Sequence, residues 1–201
     1  MSELVGARIE GYDIDDTLVR RELVTRFFGS VKGRFAHSLP KYTLDNLPYL
    51  DHAPQDIPGV KSQSLYWHRR RGAIEGVADR LKTKAAQGIQ LIGISGRPAT
   101  FEWDDMTREQ LARLGIILND VVLTPPGVSA TASKADVIRT LGVTEFSDDD
   151  GKTQFYLSGL FPDRMFNWIH HGLANIPPAM EATLASRPNV RIISIKEWIK
   201  S

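Results

Sequence analysis

The 201-residue chain contains no cysteine, which excludes disulfides, thiolate metal sites and a cysteine nucleophile. No apolar run approaches the roughly 20 residues that a membrane-spanning helix requires, so no membrane partner is expected. No segment repeats and no tract is of low complexity; the Pro-containing irregular stretch SLPKYTLDNLPYLDHAPQDIPGV, residues 38–60, is the one departure from regular patterning. There is almost no charge imbalance either, and a formal net charge of +1 argues against a nucleic-acid binder driven by a basic tail. The opening MSELVGARIE lacks a basic stretch followed by an apolar one, so a soluble cytoplasmic protein is the expectation. Nothing in the pattern signals an oligomeric state.

What is present is a chain with enough apolar residues, 42%, to bury one sizeable core and carry an insertion. Short apolar runs alternate with helical patterns. ARIEGYD reads as a strand, and GAIEGVADRLKTKAAQG as a helix, with Ile74, Val77, Ala78 and Leu81 on one face and Gly88 past its end. IQLIGIS is the near-continuous apolar run of a strand covered on both faces. DDMTREQLARLG predicts a second helix, DVVLTPP a strand stopped by prolines, and SKADVIRTLG a short helix with Ser133 and Asp136 as a capping box. VTEFS, RMFNWIHHG and VRIISI read as strands, with KEWIKS a terminal helical turn. Strands alternating with helices predict an α/β fold with a mostly parallel sheet.

In such sheets ligands bind outside the carboxyl ends of the strands. Those ends offer Asp13, Asp15, Asp16 and Thr17 in YDIDDT, then Ser95, Gly96 and Arg97 in ISGR, Lys134 in the later helix, and Asp148, Asp149 and Asp150 in FSDDD. Carboxylates crowded at a strand end repel one another, which points to a cation among them. Oxygen ligands from two strand ends suit Mg²⁺, which prefers one or two carboxylates, several waters and substrate phosphate. Lys134 and the Ser95 hydroxyl could hold phosphoryl oxygens against it, with Gly96 allowing close backbone approach.

These four elements, in this order, resemble motifs I to IV of the haloacid dehalogenase (HAD) superfamily. YDIDDTLV is similar to the DxDDT acid phosphatases, while SKADVI followed by SDDDGKTQ resembles the 3′-phosphatase domain of phage-type polynucleotide kinases; the motifs do not choose between them. The resemblance implies a Rossmann-like HAD core from residues 1–18 and 75–201, with an inserted cap at 19–74. It implies a phosphatase in which Asp13 attacks phosphorus and Asp15 protonates the leaving oxygen, then activates water. It further implies that Thr17 and Ser95 donate to the phosphoryl group, that Lys134 offsets its charge, and that Asp13, the Asp15 carbonyl, Asp148 and Asp149 hold Mg²⁺. Whether Asp149 or Asp150 is the second acid of motif IV stays open. Crowding by acids is expected to leave a proton on Asp15. An acid there favours phosphate esters over dehalogenation, since halide leaves unprotonated.

Residues 19–74 carry ten basic and four acidic side chains, a net of +6 against −5 for the remainder. Within this segment YWHRRR, residues 66–71, combines aromatic and guanidinium groups suited to nucleotides or single-stranded nucleic acid, which nominates Arg69 and Arg70 as substrate-binding. The expected partner is a small phosphorylated substrate or a phosphorylated nucleic-acid end. A broad-specificity or sugar-phosphate acid phosphatase is the alternative. A non-catalytic binding module on the same core is a third possibility, and its mark would be a lost nucleophile, acid or lysine; none is missing. Arg97 reads as a surface or structural ion-pair residue, Asp150 as a turn residue, His170 and His171 as loop or surface histidines, and Trp103, Trp168 and Trp198 as packing residues.

Overall fold

The computed structural model describes residues 8–20, 65–66, 68–172 and 176–201. Most of the inserted cap expected at 19–74 therefore lies outside the described residues, as does Trp67.

In chain order the elements are β1 (Ile9–Tyr12), α1 (Val77–Ala86), β2 (Gln90–Pro98), α2 (Phe101–Arg113), β3 (Asp120–Thr124), α3 (Ala130–Leu141), β4 (Glu145–Asp148), α4 (Gly151–Leu160), β5 (Met165–His170), α5 (Pro178–Ala185), β6 (Val190–Ser194) and α6 (Ile195–Lys200). The six strands form one sheet, ordered β3-β2-β1-β4-β5-β6, and every pairing is parallel. Parallel strands need crossovers, and here helices supply them on both faces. One face is sealed by Tyr12, Ile14, Val77, Leu81, Trp103, Leu111 and Trp198. The other is sealed by Ile94, Ile138, Phe146, Leu157 and Phe166. Complete burial of each such side chain stabilises the fold by about 1.5–3 kcal/mol. The three tryptophans expected to pack are all buried.

β1 lies at the centre, and only glycine fits its middle: a Cβ on Gly11 would meet Ile94 and Phe146 side-chain carbons at 2.9 Å. From β1 the chain builds outward through β2 and β3, then returns to lay β4 on the opposite side. That reversal opens a crevice beyond the ends of β1 and β4, where a parallel sheet binds its ligands.

Three local expectations need correction. The helix carrying Lys134 starts a turn earlier than predicted, capped by the Ser129 side chain accepting from the Ala132 N–H, while Ser133 is buried inside it. α4 and α5 were not expected at all. α4 buries Thr153, Gln154 and Ser158 along with Phe155 and Leu157, so its inward face has no apolar periodicity to read. α5 is only eight residues long and starts at Pro178.

Candidate active site

Tyr12 ends β1, and the Asp13 N–H extends the ladder by one bond to the Ser147 carbonyl at 2.9 Å. The chain then folds into a tight turn: the N–H groups of Leu18 and Val19 reach the Ile14 carbonyl at 3.0 and 2.8 Å, and the Asp16 N–H reaches Val19 O at 2.7 Å. Ile14 and Leu18, both fully buried, anchor the turn in the core. Asp16 adopts φ 64°, the one positive φ outside glycine among the described residues, in the left-handed region that aspartate tolerates better than most. Its carbonyl accepts from His171 Nε2 at 2.6 Å, a contact that requires the proton on that nitrogen. His171 is thus more than the loop or surface histidine expected from sequence.

Asp13 and Asp148 meet across the crevice through Lys134, whose Nζ lies 2.8 Å from Asp13 Oδ1 and 2.7 Å from Asp148 Oδ2. All three side chains are buried. Burial alone would lower the lysine pKa, but the two carboxylates outweigh it and raise it far above the ordinary value. The Asp148 carboxyl moves the other way from most acids. Burial and the charges of Asp13 and Asp150 push it up to about 7 despite Lys134.

Asp149 completes a group in which one oxygen each from Asp13, Asp148 and Asp149 lies within 4.8 Å of the others. Three carboxylates against one lysine leave negative charge in excess. A hard divalent cation would relieve it, and the donor set is all oxygen, so these residues fit a metal such as Mg²⁺. The turn's hydrogen bonds run through the carbonyls of Ile14 and Val19 and do not use that of Asp15. Asp150 is the N-cap of α4, accepting from the N–H groups of Lys152 and Thr153. This separates its task from that of Asp149.

Asp15 departs from expectation. Arg97 grips it with two bonds, Nε to Oδ2 at 2.9 Å and Nη2 to Oδ1 at 3.0 Å, and Arg71 Nη1 reaches Oδ1 at 3.0 Å. Burial pushes the Asp15 carboxyl up, but Arg97 first, then His68 and Arg71, hold it far below the usual carboxylate range. The acids expected to crowd Asp15 are not its nearest charged neighbours; those are guanidinium groups, which favour the ionised carboxylate over the expected protonated one. Arg97, the structural ion-pair reading from sequence, is buried and held by Thr107 Oγ1 at 3.0 Å.

The remaining residues divide. Thr17 is fully buried, and its Oγ1 has no hydrogen-bond partner among the described residues. Ser95 Oγ accepts from the Arg97 N–H at 3.2 Å and keeps its own proton to donate. Gly96 lets β2 run close to α3, since a Cβ there would come within 3.1 Å of Ala130 Cβ. Arg69 pairs instead with Glu109 at 2.9 Å, and Arg70 stacks on Tyr66 at 4.0 Å. Of the arginine run, Arg71 is the member that reaches the acids. Its signal in the sequence was its place at the end of that run; the signal for Arg97 was its position directly after the ISG of motif II.

Neither a protein-family model nor a curated protein matches the sequence. Solved structures do. An L-2-haloacid dehalogenase superposes with a TM-score of 0.59 over 96% of this chain and 97% of its own, at 12% identity. A haloacid dehalogenase-like family hydrolase from Streptococcus pneumoniae gives 0.53 over 96% and 97%, at 10% identity. The fold is that of haloacid dehalogenase-like hydrolases. A predicted phosphoglycolate phosphatase from Haemophilus somnus shares this HAD-like fold, with a TM-score of 0.54 over 92% and 93% of the two chains at 15% identity. At such identities the likeness speaks for the fold alone. Within that fold, Asp13 follows β1, Lys134 lies on α3 and Asp148 ends β4, while Ser95, Gly96 and Arg97, expected just after the second strand, lie inside β2, which runs on to Pro98.

Proposed function

We propose that the protein is a Mg²⁺-dependent phosphomonoesterase working through an aspartyl-phosphate on Asp13. The observation that carries this reading is the meeting of Asp13, Lys134, Asp148 and Asp149 at the reversal point of a HAD-like sheet. Asp13, Asp148 and Asp149 would hold the metal, together with the Asp15 carbonyl. When bound, Mg²⁺ neutralises phosphoryl charge and polarises the bond under attack. Lys134 orients the Asp13 carboxylate and offsets the charge of the transferring group. Thr17 and Ser95 offer hydroxyl donors to phosphoryl oxygens. Asp15, kept ionised by Arg97 and Arg71, would take the proton of the attacking water.

The DxDDT phosphatases and the phage-type 3′-phosphatases remain the two motif-level relatives of this reading, with a nucleotide or nucleic-acid terminal phosphate as the substrate. That preference rests on the basic composition of residues 19–74. The second reading, a broad-specificity or sugar-phosphate phosphatase, draws on Arg69 and Arg70 being engaged by Glu109 and Tyr66. It also draws on solved neighbours that include a predicted phosphoglycolate phosphatase.

Phosphate release from phosphorylated metabolites and from 3′- and 5′-phosphorylated oligonucleotides, in Mg²⁺ and in EDTA, tests both. Turnover in Mg²⁺, none in EDTA and none with Asp13→Asn is expected; an active Asp13→Asn protein would refute the nucleophile. Oligonucleotide turnover should fall steeply with salt through phosphate contacts. A substrate whose turnover ignores salt favours the small ester.

A further inference from the structure

We propose that Arg97 and Arg71 form a two-arginine clamp that positions Asp15 with a single oxygen, Oδ2, open to the reacting proton, and that the clamp acts in hydrolysis of the aspartyl-phosphate. This rests on the phosphatase reading above.

A carboxylate offers about four acceptor positions. In Asp15, Oδ1 takes Arg97 Nη2 and Arg71 Nη1, each at 3.0 Å, and Oδ2 takes Arg97 Nε at 2.9 Å. Three positions are filled, and the remaining one belongs to Oδ2. The planar guanidinium of Arg97 matches the carboxylate as a fork, which fixes its plane as well as its distance. Arg71 then prevents rotation about the axis of that fork.

Both jaws are braced against α2. Arg97 Nη1 donates to Thr107 Oγ1 at 3.0 Å. The backbone that delivers Arg71 is held by Arg113 Nη2, at 2.6 Å from the Arg69 carbonyl and 3.3 Å from that of Arg71, and by Gln110 Nε2 on the carbonyls of His68 and Arg71. Just beyond, Val19 bridges Ala73 in antiparallel register, and the Arg20 N–H meets the Gly72 carbonyl at 2.9 Å. Arg71 therefore stands on backbone tied at both sides, beside the turn that carries Asp15. Exposed arginines pairing by chance would show none of this bracing.

In the hydrolytic half, a water oxygen bonds to phosphorus as the bond from phosphorus to the Asp13 oxygen breaks. The electron pair returns to the Asp13 carboxylate, and the water proton passes to Asp15 Oδ2, then to solvent or to the next leaving oxygen. A carboxylate turned by a rotamer would miss that water while leaving the first half intact for a leaving group stable without a proton. Arg97 and Arg71 are thus positioning residues, acting through Asp15.

The test uses p-nitrophenyl phosphate in Mg²⁺, with rapid-quench detection of p-nitrophenolate and of phosphorylated protein. For Arg97→Ala the expectation is a kcat about 100-fold lower, KM within about twofold, and a burst approaching one phenolate per protein as phospho-Asp13 accumulates. Arg97→Lys does not restore kcat, since one ammonium cannot span both oxygens. Arg71→Ala loses about tenfold with the same burst, and Arg71→Lys regains most of it. Should Arg97→Ala fail to fold by circular dichroism, Arg71→Ala and Thr107→Val decide. Steady-state rates near wild type in the folded variants would overturn the clamp, as would a burst that falls in step with kcat. Wild-type protein silent on every substrate, or an active Asp13→Asn, would instead overturn the phosphatase reading beneath it.

Discussion

At the scale of single residues, the site works by contrast between neighbours. Asp13 faces an ammonium, Asp15 faces two guanidinium groups, and Asp16 is spent on backbone geometry. Sequence distinguished Asp13 from Asp15 by motif but misjudged the charge state of Asp15. The arginines that set it lie 56 and 82 residues away along the chain. One step before Asp13, Tyr12 is fully buried, and its hydroxyl donates to Glu10, itself buried and paired with Lys84 at 3.2 Å. Burial first, then the charge of Glu10, pushes the phenol well above its ordinary pKa. The sign follows from linkage. A tyrosine in the unfolded chain ionises near about pH 10. The stability due to the retained proton is complete below that value and is lost as pH rises above it, by up to about 1.4 kcal/mol per pH unit. Urea unfolding between pH 8 and 11 should show this slope in the wild type and lose it in Tyr12→Phe. Parallel curves for the two proteins would contradict it.

At the scale of elements, helix starts place the charged groups of the crevice. α3 begins at Ser129 and brings Lys134 into the crevice one turn later; α4 begins at Asp150, directly after Asp148 and Asp149. The two starts are joined, with Thr131 Oγ1 lying 3.1 Å from Thr153 Oγ1, which in turn donates to Asp150 Oδ2 at 2.8 Å. Asp150→Ala should therefore cost about 1 kcal/mol of stability, as loss of an N-cap does, with Mg²⁺ affinity retained. Asp149→Ala should do the reverse, weakening Mg²⁺ with little loss of stability. Denaturant midpoints and Mg²⁺ titrations of both variants check the pair. The elements themselves were legible where apolar residues set the pattern, as a continuous run in β2 and as one face in α1. They were not legible in α4, whose buried face carries Thr153, Gln154 and Ser158 bonded within the protein rather than a hydrophobic stripe. The capping box at Ser194 and Glu197 starts α6, the terminal helical turn foreseen from KEWIKS.

At the scale of the whole molecule, the parallel sheet and the acids gathered at its strand ends were readable from alternating apolar runs and helical patterns, whereas the strand order was not. The clamp was not, since it joins segments that only the tertiary fold brings together. If the metal reading holds, a cation that binds only the folded chain stabilises it by about 2.7 kcal/mol at 100 times Kd. For a domain of this size each kcal/mol is worth about 2–4 °C. Mg²⁺ should thus raise the melting temperature by several degrees over EDTA, and Asp149→Asn should abolish the gain; identical melting in both buffers would count against a bound ion. The contact of His171 with the Asp16 carbonyl spans 155 positions. The bend that follows Asp13 is therefore braced by a residue made long after it in chain order. A chain that stops before β5 would hold the bend after Asp13 without that support.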